Sequence, residues 1–147
     1  MTLPVAIARE RIQALEDAFQ DLPPEGSGQP IEQASFVNAH SFCPGIYART
    51  IFMHAGAVLT SRIHKTKHFF VVSKGRCTVV DSHGTELHIE APHMGVTMPG
   101  TKRALRIHED TIWTTFHATD LTDVAEIERT IIAESFEAFD AEQERNA

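Results

Sequence analysis

The stretch Gly56-Ala-Val-Leu-Thr-Ser-Arg62-Ile-His64-Lys-Thr-Lys-His68-Phe-Phe-Val-Val-Ser-Lys-Gly75 carries the residues best suited to chemistry. A neutral imidazole offers one nitrogen lone pair, which binds a metal ion or takes a proton near neutral pH. Side chains alternate along a strand with period two, so Val58, Thr60, Arg62 and His64 are expected on one face. Lys65-Thr66-Lys67 can turn, after which His68, Phe70 and Val72 share a face of the next strand. Two imidazoles flanking such a turn converge when both faces point inward. A third nitrogen or oxygen would complete a divalent-metal site with positions open for substrate or water.

The third donor must come from another part of the chain, and His108, Glu109 and His117 are the candidates. Thr101 to Ile107, a turn at His108-Glu109-Asp110, and Thr111 to His117 read as a hairpin. A two-residue turn at Glu109-Asp110 puts Ala104, Arg106, His108, Trp113, Thr115 and His117 on one face. Arg103, Leu105, Ile107, Ile112, Thr114 and Phe116 fall on the other. The polar composition of the first face favours His108 and His117 as inward residues. His40, His54, His83, His88 and His93 have no partner spacing and are expected at the surface.

The elements that would hold these residues follow from periodicity. Pro4 suits an early helical position, and Ile12, Leu15 and Phe19 give an N-terminal helix one apolar stripe. Leu22 to Pro30 is a linker by its proline and glycine content. From Ile31 onward, turn signals at Pro44-Gly45, Gly56, Gly75, Asp81-Ser-His-Gly84, Gly95 and Pro99-Gly100 separate short β-rich segments, the pattern of an antiparallel barrel or sandwich. Glu86 to Glu90 alternates polar and apolar residues and is expected to be a strand with one wet face. Asp123 and Glu126 have the form of a capping box for a closing helix whose stripe is Val124, Ile127, Ile131, Phe136 and Phe139. The expected organisation is residues 1–30 as helix and linker, 31–119 as the barrel, and 120–147 as an acidic helix and tail.

Of the formal charge of −7, all is accounted for by residues 120–147, where nine carboxylates face two arginines. Residues 46–119 carry nine basic and five acidic side chains and eight of the nine histidines. The acidic residues are expected on a solvated helix face, and the cationic middle suits a small anionic ligand or a metal. Neither a bilayer-spanning apolar stretch nor a secretory leader is expected, and Cys43 and Cys77 do not form a disulfide framework. A cytoplasmic protein is the expectation. Nothing in the motifs supports nucleic-acid or membrane binding.

The spacing around His64 resembles the first motif of the cupin superfamily. Gly56 and Gly75 stand at its two glycine positions, His64 at the second histidine, Arg62 in place of the first histidine, and His68 in place of the glutamate. In the second motif Gly100 fits, Pro99 is displaced by one, Arg103 stands at the histidine position and Ile107 at the asparagine position. The chain is also similar to small phage and prophage cupin-like proteins in its phrases His64-Lys-Thr-Lys-His68, Pro99-Gly-Thr-Lys-Arg103 and His108-Glu-Asp-Thr-Ile-Trp113-Thr-Thr-Phe-His117. The resemblance implies an all-β fold, a cupin-type double-stranded β-helix or jelly-roll barrel flanked by N- and C-terminal helices. It also points Arg103 inward, in conflict with the hairpin that favours His108 and His117, unless a bulge or one-residue slip exchanges the faces.

Two functions follow as expectations. One is a barrel holding Fe, Mn, Ni or Zn through His64 and His68 with His108 or His117, acting on a small anionic molecule bound by Arg62, Arg103, Tyr47, Arg49 and Trp113. A guanidinium is always protonated, so Arg62 and Arg103 repel a metal and suit a carboxylate or phosphate. The alternative is a non-catalytic, metal-free ligand-binding barrel or phage accessory or virion-associated protein using Arg62 and Arg103. A homodimer is the expected assembly.

Overall fold

The computed structural model describes residues 3–20 and 38–147, so the expected linker at Leu22 to Pro30 lies outside the described residues. Helix α1 spans Val5–Gln20. Its first turn uses the Pro4 carbonyl, which accepts from Ala8 N–H at 3.0 Å, and it buries Ala8 and Ile12. Polar ties fasten it to the rest: the buried Lys102 ammonium pairs with Glu16, and Arg9 pairs with Asp140 at 2.8 Å.

The strands are β1 (Asn38–Cys43), β2 (Ile46–Met53), β3 (Val58–Thr60), β4 (Ile63–His64), β5 (His68–Asp81), β6 (Glu86–Glu90), β7 (His93–Thr97) and β8 (Arg103–Ala118). Seven of them form one antiparallel sheet in the order β1-β2-β8-β5-β6, with β3 added to β8 and β7 to β5. The two long strands β5 and β8 pair along most of their lengths. Strand β2 flanks the second half of β8, and β7 flanks the first half of β5. On the other wall, β3 and β6 flank the remaining halves. The ladder between β5 and β8 shifts register between Val72 and Cys77, and such bulges bend a pair from one wall into the next.

Gly75 sits in this bend with φ +95, and a side chain there would collide with Asp110 and Thr111. Both its positive φ and the close approach of β8 require glycine.

The structure corrects the expected hairpin at His108-Glu109-Asp110, because β8 is one strand of 16 residues. The bend is made by bulges in β5, so β8 needs no reversal. The polar residues that suggest a turn instead mark the barrel edge, where Glu109 and Asp110 are exposed and the Asp110 carboxylate accepts from Ala55 N–H at 2.9 Å.

The main core fills the barrel with Ile51, Leu59, Phe70, Val72, Val79, Leu105, Ile107 and Trp113 among others. The C-terminal segment forms α2 (Val124–Ile131), β9 (Ile132–Ala133) and α3 (Phe136–Arg145) rather than the expected single helix. Asp123 caps α2 by accepting from Ala125 N–H, and Ser135 caps α3 by accepting from Ala138 N–H. Between them β9 pairs with β4. Phe136 and Phe139 pack with Ile63 and Ala133, while Ile127 and Ile131 pack on Tyr47. Each such buried side chain contributes about 1.5–3 kcal/mol, so the segment is docked rather than trailing.

Its acidic face is only partly solvated, which corrects the expectation. Glu128 lies 3.5 Å from both Arg49 and Arg62, and Glu142 lies 3.2 Å from Lys65. Among the described residues no helix is long and apolar enough to cross a membrane.

Candidate metal and anion site in the barrel

Because β8 is unbroken, its odd-numbered residues face inward on both sides of the exposed Glu109 at the barrel edge. Arg103, Leu105, Ile107, Thr111, Trp113, Thr115 and His117 are all buried. Arg103 and His117 therefore face inward together, and the conflict between them disappears with the hairpin. The even position His108 points away; its Nε2 is hydrogen-bonded to Thr78 Oγ1 at 2.7 Å, and it is not brought to the other histidines.

Alternation fails between β3 and β4, as it does at the bulges of β5. Leu59 and Ser61 are buried, yet three residues after Ser61 it is His64 that lines the interior. Ser61 fixes this break: its N–H donates to the Arg103 carbonyl at 2.8 Å, its hydroxyl accepts from Arg103 N–H at 2.8 Å, and the hydroxyl donates to the Arg62 carbonyl. The Arg62 side chain is consequently thrown outward, 54% exposed, beside Glu128. Its expected place in the pocket is corrected.

Inside, three imidazoles meet. Ring centres are 4.9 Å apart for His64 and His68, 4.3 Å for His68 and His117, and 6.5 Å for His64 and His117. Two imidazoles on one ion, with metal–nitrogen bonds of about 2.1 Å, place their centres on the order of 5 Å apart. His68 Nδ1–H donates to the Thr66 carbonyl at 2.8 Å, which fixes the tautomer and leaves the Nε2 lone pair free. His117 Nε2 is hydrogen-bonded to Thr115 Oγ1 at 2.9 Å. His64 Nδ1, His68 Nε2 and His117 Nδ1 are all buried without a hydrogen-bond partner. Buried polar atoms seldom go unpaired, so three in one cluster call for a shared partner.

Burial, first of all, holds these rings neutral. It drives His64 well below the usual imidazole range, with His68, Arg103, His117 and Arg49 adding to the effect. Burial likewise lowers His68, against the Thr66 hydrogen bond, and brings His117 down to about 3 with help from His68 and Arg49. Neutral imidazole is the ligand form. Among the described residues no three His, Cys, Asp or Glu side chains are already arranged to hold a metal ion. The donor type suits an ion, and two of the three ring spacings, 4.9 and 4.3 Å, lie near the roughly 5 Å of two imidazoles on one ion, while His64 and His117 at 6.5 Å stand farther apart.

Two guanidinium groups border the cluster. Arg103 is only 7% exposed; its Nη2 donates to Thr97 Oγ1 at 2.9 Å, and its charge lies over Phe70 and Trp113 at 5.0 and 5.5 Å from the ring centres. Burial lowers it to about 10, with Asp81 opposing the shift, so it stays cationic at neutral pH. Arg49, on β2 opposite Thr115, has a buried Nε without a partner. Trp113 stacks on Phe70 with centres 4.5 Å apart. Tyr47 stands behind His117 at 5.8 Å and hydrogen-bonds His40 Nδ1 at 2.6 Å.

Arg49, His64, Arg103, Trp113 and His117 line one cavity of about 30 Å³, closed on the C-terminal side by Ile131 and Ile132. That volume accommodates about one or two water molecules or an ion. Sequence reasoning put Ile131 on a helix stripe and Glu128 on a solvated face, and did not assign Ile131, Ile132 or Glu128 to the site. The β-branched pair Ile131-Ile132 followed by the cap residue Ser135 was the available signal that the helix breaks there.

No protein-family model matches the chain, and no curated protein matches it by sequence. Solved structures do resemble it. Salicylate 1,2-dioxygenase from Pseudoaminobacter salicylatoxidans, in a complex with gentisate, matches with TM-score 0.52 and 19% identity over 86% of this chain and 33% of that one. A further structure of that enzyme gives TM-score 0.51 and 17% identity over 86% and 34%. A cupin-2 domain protein from Shewanella frigidimarina matches with TM-score 0.46 and 11% identity over 71% and 92%. The chain has the cupin fold, an antiparallel jelly-roll barrel with flanking helices. It spans about a third of the dioxygenase, and identities this low speak for fold alone.

Proposed function

We propose that the chain is a small cupin whose barrel holds a divalent metal through His64, His68 and His117 and binds a small anion beside it through Arg49 and Arg103. The observation that carries this reading is the set of three buried, unpartnered imidazole nitrogens in one cluster. Nitrogen donors suit Fe, Mn, Ni or Zn. Such an ion supplies Lewis acidity or activation of water or dioxygen. The chain's own contributions are to keep the imidazoles neutral, exclude water behind Ile131 and Ile132, and orient an anion with paired N–H donors. The gentisate bound by the similar dioxygenase carries a carboxylate, which supports this ligand class.

The protein used in the test must carry no histidine tag. Metal content after incubation with each candidate ion, followed by dialysis, should reach one equivalent in the native chain and fall in His68→Ala and His117→Ala.

A second, non-catalytic reading, a metal-free anion-binding barrel or phage accessory or virion-associated protein, is favoured by the absence of a preformed donor geometry among the described residues. It would use Arg49 and Arg103 in place of Arg62. Chelator would then leave anion binding unchanged.

In either reading a cytoplasmic homodimer is proposed, with the uncharged outer row Val96, Phe69 and Phe116 across β7, β5 and β8 as the shared face. Phe69 is 55% exposed there. Sedimentation should give a dimer that Phe69→Glu dissociates; a native monomer contradicts the assembly.

A further inference from the structure

Of the two cations lining the cavity, Arg49 is the one with a carboxylate within 4 Å among the described residues. Glu128 Oε1 lies 3.5 Å from Arg49 Nη1, and Glu128 Oε2 lies 3.5 Å from Arg62 Nη1. Both distances exceed the roughly 2.7–2.9 Å of a strong charge-assisted hydrogen bond. Arg49 Nε meanwhile stays buried without an acceptor. Glu128 therefore balances the charge of Arg49 without satisfying its donors.

The element carrying Glu128 is also the wall of the cavity. Ile131 and Ile132 line it, Ile127 and Ile131 pack on Tyr47, and Lys65 N–H donates to the Ile131 carbonyl at 2.7 Å. Strand β9 continues the wall by pairing with β4, the strand of His64. A cavity of about 30 Å³ has room for about one or two waters and is too small for an aromatic carboxylate such as benzoate while this wall is in place.

From these relations we infer that Glu128 is an internal competitor for the anion site: it holds Arg49 and keeps the α2–β9 wall shut, and an incoming carboxylate takes Arg49 from it and lets the wall move outward. The inference rests on the anion-binding reading above, and deepens it by naming the ligand class as a monocarboxylate larger than the closed cavity. The exchange is one carboxylate for another on the same guanidinium, so no net charge is buried and no bond is made or broken.

Trp113 is the single tryptophan and lies in the cavity wall, so its fluorescence reports the site directly. Full-length native protein, Glu128→Gln and Arg49→Met would be titrated with sodium benzoate and sodium formate. Where the ion pair closes Arg49 in about nine molecules of ten, removing it lowers the benzoate Kd about tenfold. The expected result is that gain in Glu128→Gln, a smaller gain for formate, and loss of binding in Arg49→Met. Equal benzoate Kd in native protein and Glu128→Gln overturns the competitor role while leaving the anion site intact. Absence of binding in both, with both folded, overturns the anion reading itself. Amide exchange in native protein gives an independent readout: saturating benzoate should speed exchange at residues 128–133 and at Lys65, and unchanged or slower exchange contradicts displacement of the wall.

Discussion

Arg103 and His117 stand on the same inward face of one unbroken strand, so the barrel presents a buried cation and a neutral imidazole to a single cavity. The two have opposite preferences, the imidazole for a metal ion and the guanidinium for an anion. The proposed metal ion on the histidines and anion on the arginines would satisfy both preferences.

Replacing Arg103 by Met should separate ligand binding from stability. The variant removes a buried charge held by one side-chain hydrogen bond and two aromatic faces, but leaves Thr97 Oγ1 without its partner. Those effects oppose each other, so the unfolding free energy in urea should change by less than about 2 kcal/mol. Benzoate quenching of Trp113 should be lost. Retained quenching would remove Arg103 from the site.

Acid should destabilise the metal-free fold in a defined window. His64, His68 and His117 all have folded pKa values below the unfolded value of about 6.5, His117 down to about 3. Below about pH 6.5 the unfolded chain takes up protons that the folded chain does not, so stability is full above that pH and falls as pH drops toward the folded values. The urea midpoint should therefore decline between pH 6.5 and 5, before most carboxylates titrate, and decline less steeply in His117→Gln. A flat midpoint through that window contradicts buried neutral imidazoles.

His108→Ala should affect stability alone. It loses the hydrogen bond to Thr78, worth about 0.5–1.5 kcal/mol. Metal content and benzoate affinity should match the native protein. A loss of metal would return His108 to the donor set and contradict the face assignment of β8.

Gly75→Ala should be among the most damaging single changes. A left-handed backbone costs a side chain about 1–2 kcal/mol, and overpacking against Asp110 and Thr111 adds about 1–3 kcal/mol. A thermal midpoint within about 3 °C of native would show that the bend between β5 and β8 relaxes freely.

Much of the barrel was legible in the residues. The turn signals from Pro44-Gly45 to Pro99-Gly100 were enough for an antiparallel barrel, the resemblance around Gly56, His64 and Gly75 pointed to a cupin, and the turn at Lys65-Thr66-Lys67 does bring His64 and His68 together. What could not be read was how the faces are assigned over long distance. Ser61 breaks the alternation through hydrogen bonds to Arg103, a residue remote in sequence, so Arg62 looked inward when it points out. Glu109 and Asp110 look like a turn because a barrel edge and a turn need the same solvated residues. Bulges in the partner strand supplied the bend, and their position depends on register. Glu128 looked like one more charge on a wet helix until the docking of Ile127 and Ile131 fixed which way it faces.

The most direct measurement is a cobalt titration of tag-free, metal-stripped protein followed by visible absorption and metal analysis, run in parallel on His68→Ala, His117→Ala and His108→Ala. One equivalent bound by the native chain and by His108→Ala, with at least about a tenfold weaker Kd in the other two variants, is the predicted outcome. No bound cobalt in the native chain, or equal affinity in all four proteins, would contradict a metal held by His64, His68 and His117.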